Sequence, residues 1–194
     1  MAGYAQEHIF NTLTELLKEK SMDDIKVYDI IEHGRINRKT FYYHFHGMAD
    51  LLKWRISVLM SPLDLKDADS GNWKAKMRQW ICLIESNRDF FCAVFKSKYA
   101  AAISTFLCGK MRPYISRFVE NCIRETEERR AEPITMESKF FNYIVDYYLK
   151  GTMSLVEEWI HGECAEPPED FLNIIDNLTK NTIFNVIDAF CPAE

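Results

Sequence analysis

Ten residues, Ile36-Asn37-Arg38-Lys39-Thr40-Phe41-Tyr42-Tyr43-His44-Phe45, constrain this chain more than any others. Phe41 and Phe45 stand four apart, so on a helix they share one face and anchor it to a core. Arg38, Lys39, Thr40, Tyr42, Tyr43 and His44 then point away from that anchor. A helix held by one apolar stripe, with donors, rings and positive charge on its other side, suits the major groove of DNA.

The residues before it set up such a helix. Ile9, Leu13, Leu16 and Leu17 follow the i, i+4, i+7, i+8 spacing of an amphipathic helix, which Lys18-Glu19-Lys20-Ser21 closes. Val27 to Glu32 predict a short second helix with Val27, Ile30 and Ile31 turned inward. His33-Gly34-Arg35 makes the turn, and Asn37 is a good N-cap for the third helix. Helix, turn and capped basic helix are the sequence form of a helix-turn-helix.

From about Ile9 to Lys53 the chain resembles the N-terminal domain of the TetR family of bacterial transcriptional regulators. The resemblance rests on Ile25, Val27, Asp29-Ile30, Ile36, Arg38, the run Thr40 to Phe45, Asp50 and Leu51-Leu52. That run, in this register, is far more specific than a generic helix-turn-helix pattern. The remaining three quarters or so of the chain match mainly in length, helix content and layout. The family match implies an interface with double-stranded operator DNA formed by Lys26, Tyr28, Asn37, Arg38, Lys39, Thr40, Tyr42, Tyr43 and His44. Within it, Arg38 and Tyr43 reach base edges, while Thr40, Tyr42 and His44 contact phosphates. Lys39 serves in either role, and Tyr28 contacts the backbone. Three positions depart from the family pattern. The usual Ala-Gly of the turn is Gly34-Arg35. A phosphate-reaching Lys at the start of the next helix is Met48. The Thr or Ser that often opens the second helix is Lys26, which has no oxygen to cap with but has the reach for a phosphate.

The net charge of −5 looks wrong for a DNA binder, but the distribution resolves this. Residues 1–55 hold eight basic and eight acidic side chains, whereas residues 56–194 hold 16 and 21. Between positions 35 and 55, five basic residues (Arg35, Arg38, Lys39, Lys53 and Arg55) face Asp50 alone. Exposed charge is screened over ~8–10 Å, so a local basic face works on an acidic protein.

Beyond residue 47 the pattern is helical throughout. A fourth helix starts near Met48 and is stopped by Pro62. Residues 63–71, with Asp64, Asp67, Asp69, Ser70 and Gly71, read as a polar linker. Trp73, Met77, Trp80, Ile81 and Ile84 predict a fifth helix. Phe90 to Leu107 is strongly apolar and reads as one helix, whole or broken. Gly109 then suits a C-terminal cap, Pro113 the first turn of the next helix, and Thr135 a later N-cap. Two long helices follow, about Met136 to His161 and Glu169 to Phe190. Val145, Val156, Phe171, Ile174 and Phe184 lie off their main apolar stripes, which suggests a second buried face. A two-fold four-helix contact between copies explains that economically, and the resemblance implies it too.

Other signals point to little chemistry. The six cysteines have no metal-ligand spacing and sit mostly at apolar helical positions. Glu158 and His161 form a single Glu-x-x-His pair, where di-iron bundles need two. No Gly-rich phosphate loop or nucleophile elbow is present, so no enzyme, metal or cofactor is expected. No apolar run reaches the length of a membrane span, and no signal-peptide pattern opens the chain, so a cytoplasmic protein is expected. Trp80, Phe95, Phe106, Tyr143 and Tyr147 are candidates for an effector pocket, with plain core as the competing reading.

The reading is an all-α, homodimeric, DNA-binding transcriptional regulator. A three-helix helix-turn-helix domain spans 1–47, and a helical effector-binding and dimerisation domain spans 48–194. The expected mechanism is repression relieved by a small apolar or mildly polar effector. The alternative is a C-terminal domain that binds a partner protein.

Overall fold

A computed structural model describes residues 3–63, 65 and 68–191. Asp64 and Asp67 of the predicted linker lie outside the described residues. Every regular element among the described residues is a helix: α1 (Tyr4–Leu16), α2 (Val27–His33), α3 (Arg38–His44), α4 (Met48–Met60), α5 (Trp73–Ser86), α6 (Arg88–Phe95), α7 (Ala100–Arg130), α8 (Ser138–His161) and α9 (Pro168–Phe190). The fold is all-α, as expected. It divides into two compact units. One holds the chain up to Pro62 together with Asn87–Phe106, and the other holds Leu63–Ser86 with the chain from Leu107 onward.

In the first unit, α1 buries Ile9, Phe10, Leu13 and Leu16, and α2 buries Ile30. Phe41 and Phe45 are fully buried. Their rings lie 5.9 Å apart, and Phe45 meets Trp54 of α4 edge-on at 5.5 Å. Phe10 joins the cluster through Trp54 at 6.4 Å and Phe90 at 5.5 Å. The Arg55 guanidinium stands 4.4 Å from the Phe10 ring and 3.6 Å from Glu7. Helix α4 is therefore tied to α1 and α3, and the predicted boundary at 47/48 falls inside this unit. Position 48 explains why: Met48 is buried with Leu51, Leu52 and Ile56, so the start of α4 is core rather than linker.

In the turn between α2 and α3, Arg35, which stands where the family pattern has Gly, takes the left-handed conformation, at φ 49°. Gly34 does not. It is needed for space instead. A Cβ there would lie 2.7 Å from the Ile36 side chain, 2.7 Å from Thr12 Oγ1 and 3.0 Å from the Ile30 carbonyl. The His8 ring also reaches the Gly34 carbonyl oxygen at 3.0 Å, fastening the turn to α1. At the start of α2, the Lys26 backbone N–H donates to Asp29 Oδ2 at 2.7 Å. That bond, with Lys20 nearby, holds the Asp29 carboxyl below its ordinary range.

The apolar segment from Phe90 to Leu107 is broken. Helix α6 ends at Phe95, and Ser97 caps the break by donating to the Val94 carbonyl at 2.7 Å and accepting from the Tyr99 N–H at 3.1 Å. The next residue, Lys98, donates from its backbone and its Nζ to Asp23, both at 2.9 Å.

In the second unit, α5 buries Trp73, Met77, Trp80, Ile81 and Ile84, and Trp73 stacks on Phe118 of α7 at 4.2 Å. Helix α7 runs through Gly109 and Pro113, so neither ends or begins a helix. Leu107, Met111, Ile115, Phe118 and Cys122 continue one buried stripe across that point. Pro113 and Gly109, which is the residue its ring would crowd, both face solvent. The carbonyl that Pro113 leaves without a donor is therefore on the solvent side, and packing of the buried stripe offsets the ~3 kcal/mol helix penalty of proline. Thr135 is not the cap of α8; Glu137 is. Trp159 is buried, stacks on Phe171 at 4.8 Å and donates its indole N–H to the Glu166 carbonyl at 3.1 Å. Arg130 bonds Asp188 at 2.6 Å, and Arg78 bonds Glu169 at 2.8 Å. Arg112 and Asp146 are paired across α7 and α8. No single described helix is long and apolar enough to cross a membrane.

Two stability measurements check this account. Gly34→Ala should destabilise the fold by about 1–3 kcal/mol through overpacking against Thr12, Ile30 and Ile36. Urea denaturation would show this, and an unchanged midpoint would contradict the close approach. The bond from Arg112, then that from Lys150, holds the Asp146 carboxyl below its ordinary 3.8. A lowered folded value stabilises the fold above the ordinary pKa, and that contribution is lost as pH falls through the lower value. Asp146→Asn should thus cost stability at neutral pH but progressively less in acid. A deficit that stays constant with pH would refute it.

Candidate nucleic-acid interface

Helix α3 is only seven residues long, so its caps and its anchor decide its shape. Asn37 Oδ1 accepts from the Lys39 backbone N–H at 2.8 Å, the N-cap predicted from sequence. Phe41 and Phe45 take the inward side. The structure leaves Arg38, Lys39, Tyr42 and Tyr43 exposed and Thr40 and His44 half-buried. Tyr43 is 83% exposed, against 45% for Tyr42, and its ring meets His44 edge-on at 4.9 Å. The Arg38 guanidinium lies 5.6 Å from the centre of the Tyr42 ring, and that ring packs edge-on against buried Phe41 at 5.4 Å.

Helix α2 supplies the rest of the candidate set. Lys26 is exposed at its N-terminus. Tyr28 is exposed as well, but its hydroxyl donates to Glu32 one turn on, and this bond pushes the phenol pKa up. Arg35 is a basic residue missing from the set assembled from sequence. It sits exposed in the turn and makes no ion pair among the described residues. Its only signal in the sequence was its place in the basic run around α3. Met48 is buried, so the side chain at the usual phosphate-contact position packs inward instead.

The five effector-pocket candidates fall in different units. Phe95 and Phe106 belong to the first unit, and Trp80, Tyr143 and Tyr147 to the second. Trp80 and Phe95 are buried core, and Phe106 is half-buried. Tyr143 and Tyr147 are exposed on α8, at 56% and 69%. They stand one position off the buried row of Ile144 and Tyr148. The buried phenol is Tyr148, bonded to Thr182 at 2.9 Å and pushed up in pKa mainly by burial. Two open hollows of about 340 and 360 Å³ run along the outside of α8 and α9. Tyr147, Gly151, Leu155, Leu178 and Thr182 line the first, and Tyr143, Tyr147, Val186 and Phe190 the second. Neither includes Trp80, Phe95 or Phe106.

Helix α9 keeps a strict four-residue register. Phe171, Ile175, Thr179, Ile183 and Ile187 are buried. One position back, Ile174, Leu178, Thr182, Val186 and Phe190 form a mainly apolar row, of which Ile174, Leu178 and Phe190 are openly exposed. Val145, Val156 and Phe171, expected on a second face, belong to the inner core instead, and Phe184 is half-buried. Among the described residues no group of three or more His, Cys, Asp or Glu is placed to hold a metal.

Comparison with known proteins gives this arrangement a family. Residues 71–181 match a TetR C-terminal family described as "Transcriptional regulator C-terminal region". A relative in Lactococcus lactis subsp. lactis (strain IL1403), the HTH-type dhaKLM operon transcriptional activator DhaS, is 24% identical over 90 residues, which span 46% of this chain and 48% of that protein. The solved structure of a dihydroxyacetone kinase operon activator DhaS superposes over 97% of this chain and 98% of its own, with a TM-score of 0.58 at 18% identity, a likeness of fold. With more than half its length inside the family match and the helix-turn-helix in front of it, the chain belongs to the TetR family of transcriptional regulators.

Proposed function

We propose that this regulator binds operator DNA as a homodimer, with α3 of each copy in the major groove and the outer faces of α8 and α9 forming the contact between copies. The observation that carries the DNA reading is α3 itself. Phe41 and Phe45 are buried, and Arg38, Lys39, Tyr42 and Tyr43 are left outside. In this reading Arg38 and Tyr43 reach base edges, and Thr40, the Tyr42 hydroxyl, His44 and Lys26 meet phosphates. Asn37 serves by capping α3, and Lys39 and Arg35 add local charge. Tyr28 is the weakest member, because its hydroxyl is already bonded to Glu32. Two copies of α3 then address half-sites ~34–36 Å apart, or multiples of that.

The dimer reading rests on the apolar row of α9 and on Tyr143 and Tyr147. These residues leave a contiguous apolar strip uncovered within one chain, which is unfavourable in water. A second copy covers the same strip on both partners through a two-fold axis. This assigns Tyr143 and Tyr147 to the contact between copies rather than to an effector pocket. Trp80 and Phe95 are core in this reading. The relative and the solved structure carry one name, the operon activator DhaS, which favours activation over the repression expected from sequence. Relief by a small molecule keeps only the family resemblance as support. The open hollows of α8 and α9 suit a protein surface better than an enclosed ligand.

Two measurements test the proposal. If a dimer neutralises about six to ten phosphates, affinity for duplex DNA should fall by roughly 10³–10⁵ between about 50 and 200 mM salt. A titration flat over that range would overturn the α3 assignment. Leu178→Asp places a charge in the uncovered strip and should give a monomer by sedimentation, with weakened DNA binding. An intact dimer carrying this substitution would overturn the α8/α9 assignment and leave the DNA reading standing.

A further inference from the structure

We infer that Tyr42 has two separable jobs: its hydroxyl meets the DNA backbone, while its ring positions the Arg38 guanidinium to read one guanine in each half-site. The inference rests on the proposal that α3 enters the major groove.

The argument begins with Arg38. It occupies the first position of a seven-residue helix, where the helix dipole disfavours a cation. It is exposed, and a long exposed arginine samples many rotamers. Nothing in the helix's own electrostatics would hold it in place. One turn on, the Tyr42 ring stands with its centre 5.6 Å from the guanidinium carbon, within the range of a cation–π contact. That ring is not free either. It packs edge-on against Phe41, 5.4 Å between centres at 76°, and Phe41 is completely buried. A chain of contacts therefore runs from the core, through the Tyr42 ring, to the Arg38 cation.

The chemistry of the contact matters as much as its existence. A ring attracts the cation through its π electrons and has no carboxylate oxygens to take the paired N–H groups of the guanidinium. A guanine is read through those groups, by paired bonds to O6 and N7. A carboxylate partner would occupy the same N–H groups and have to be displaced. Tyr42 instead orders Arg38 while keeping its reading edge available, which lowers the ordering cost at the moment of binding. The ring acts through Arg38 and is a positioning group; the hydroxyl acts on its own.

The test uses the full chain and a duplex that the wild-type protein enriches from a random pool. Each base pair of that duplex is changed in turn, and binding is followed by fluorescence anisotropy. Arg38→Ala should relax discrimination at one G·C pair per half-site. Tyr42→Leu should relax discrimination at that same pair by roughly threefold to thirtyfold, the range of a cation–π contact as it loses water. Added to Arg38→Ala, it should relax it no further. Tyr42→Phe keeps the ring, so discrimination should stay within about twofold of wild type while affinity falls for all duplexes alike. If Tyr42→Leu leaves that pair fully discriminated, or Tyr42→Phe relaxes it as much as Tyr42→Leu, the positioning role is wrong although α3 still binds DNA. If wild-type protein enriches no sequence at all, the DNA reading beneath the inference fails first.

Discussion

Everything on the DNA-facing side of this chain depends on burying Phe41 and Phe45. Phe41 is the inward residue of a seven-residue helix that is too short to stand alone, and Phe45 is its C-cap. Each buried ring contributes on the order of 1.5–3 kcal/mol, and Phe45 makes its contact with Trp54 of α4. Once the two rings are inside, the period of the helix leaves no choice about the rest. Arg38, Lys39, Tyr42 and Tyr43 must face out. The chain exposes donors and rings there because its core holds the opposite side of the same helix.

This part of the fold was legible because its signals are local. Asn37 caps, Phe41 and Phe45 anchor, and the spacing of Ile9, Leu13 and Leu16 shows the face of α1. What could not be read were choices settled by contacts distant in sequence. Arg35 stands where the family pattern has its turn Gly and itself takes the left-handed conformation. Gly34 is required by Thr12, which lies in another helix. The division expected at 47/48 assigns the start of α4, position 48 included, to the second domain. The methionine there packs into the first unit instead.

The second unit was legible in outline and misleading in detail. Gly109 and Pro113 are the usual punctuation of a helix end, but a buried stripe on the opposite side of α7 runs past both. The spacing of Tyr143 and Tyr147 shows that two side chains share a face without showing which face is inside. Ile144 and Tyr148, one position on, fit the same pattern and are the buried pair. The rows of α9 carried more information than apolar width alone. Its buried and uncovered rows both advance by four residues, so only their offset tells inside from outside. That offset comes from packing among the other helices of the unit.

The central claim is that the outward side of α3, and no other part of the chain, meets the bases. A photo-crosslinking phenylalanine analogue placed at position 43 measures this most directly, because Tyr43 is an aromatic residue of α3 left 83% exposed. A second chain carrying the same group at exposed position 147 serves as the comparison. With duplex DNA that the protein selects, the account expects covalent adducts to bases from position 43. From position 147 it expects none to DNA, but a crosslink to a second copy of the chain. DNA adducts from position 147, with none from position 43, would contradict the account.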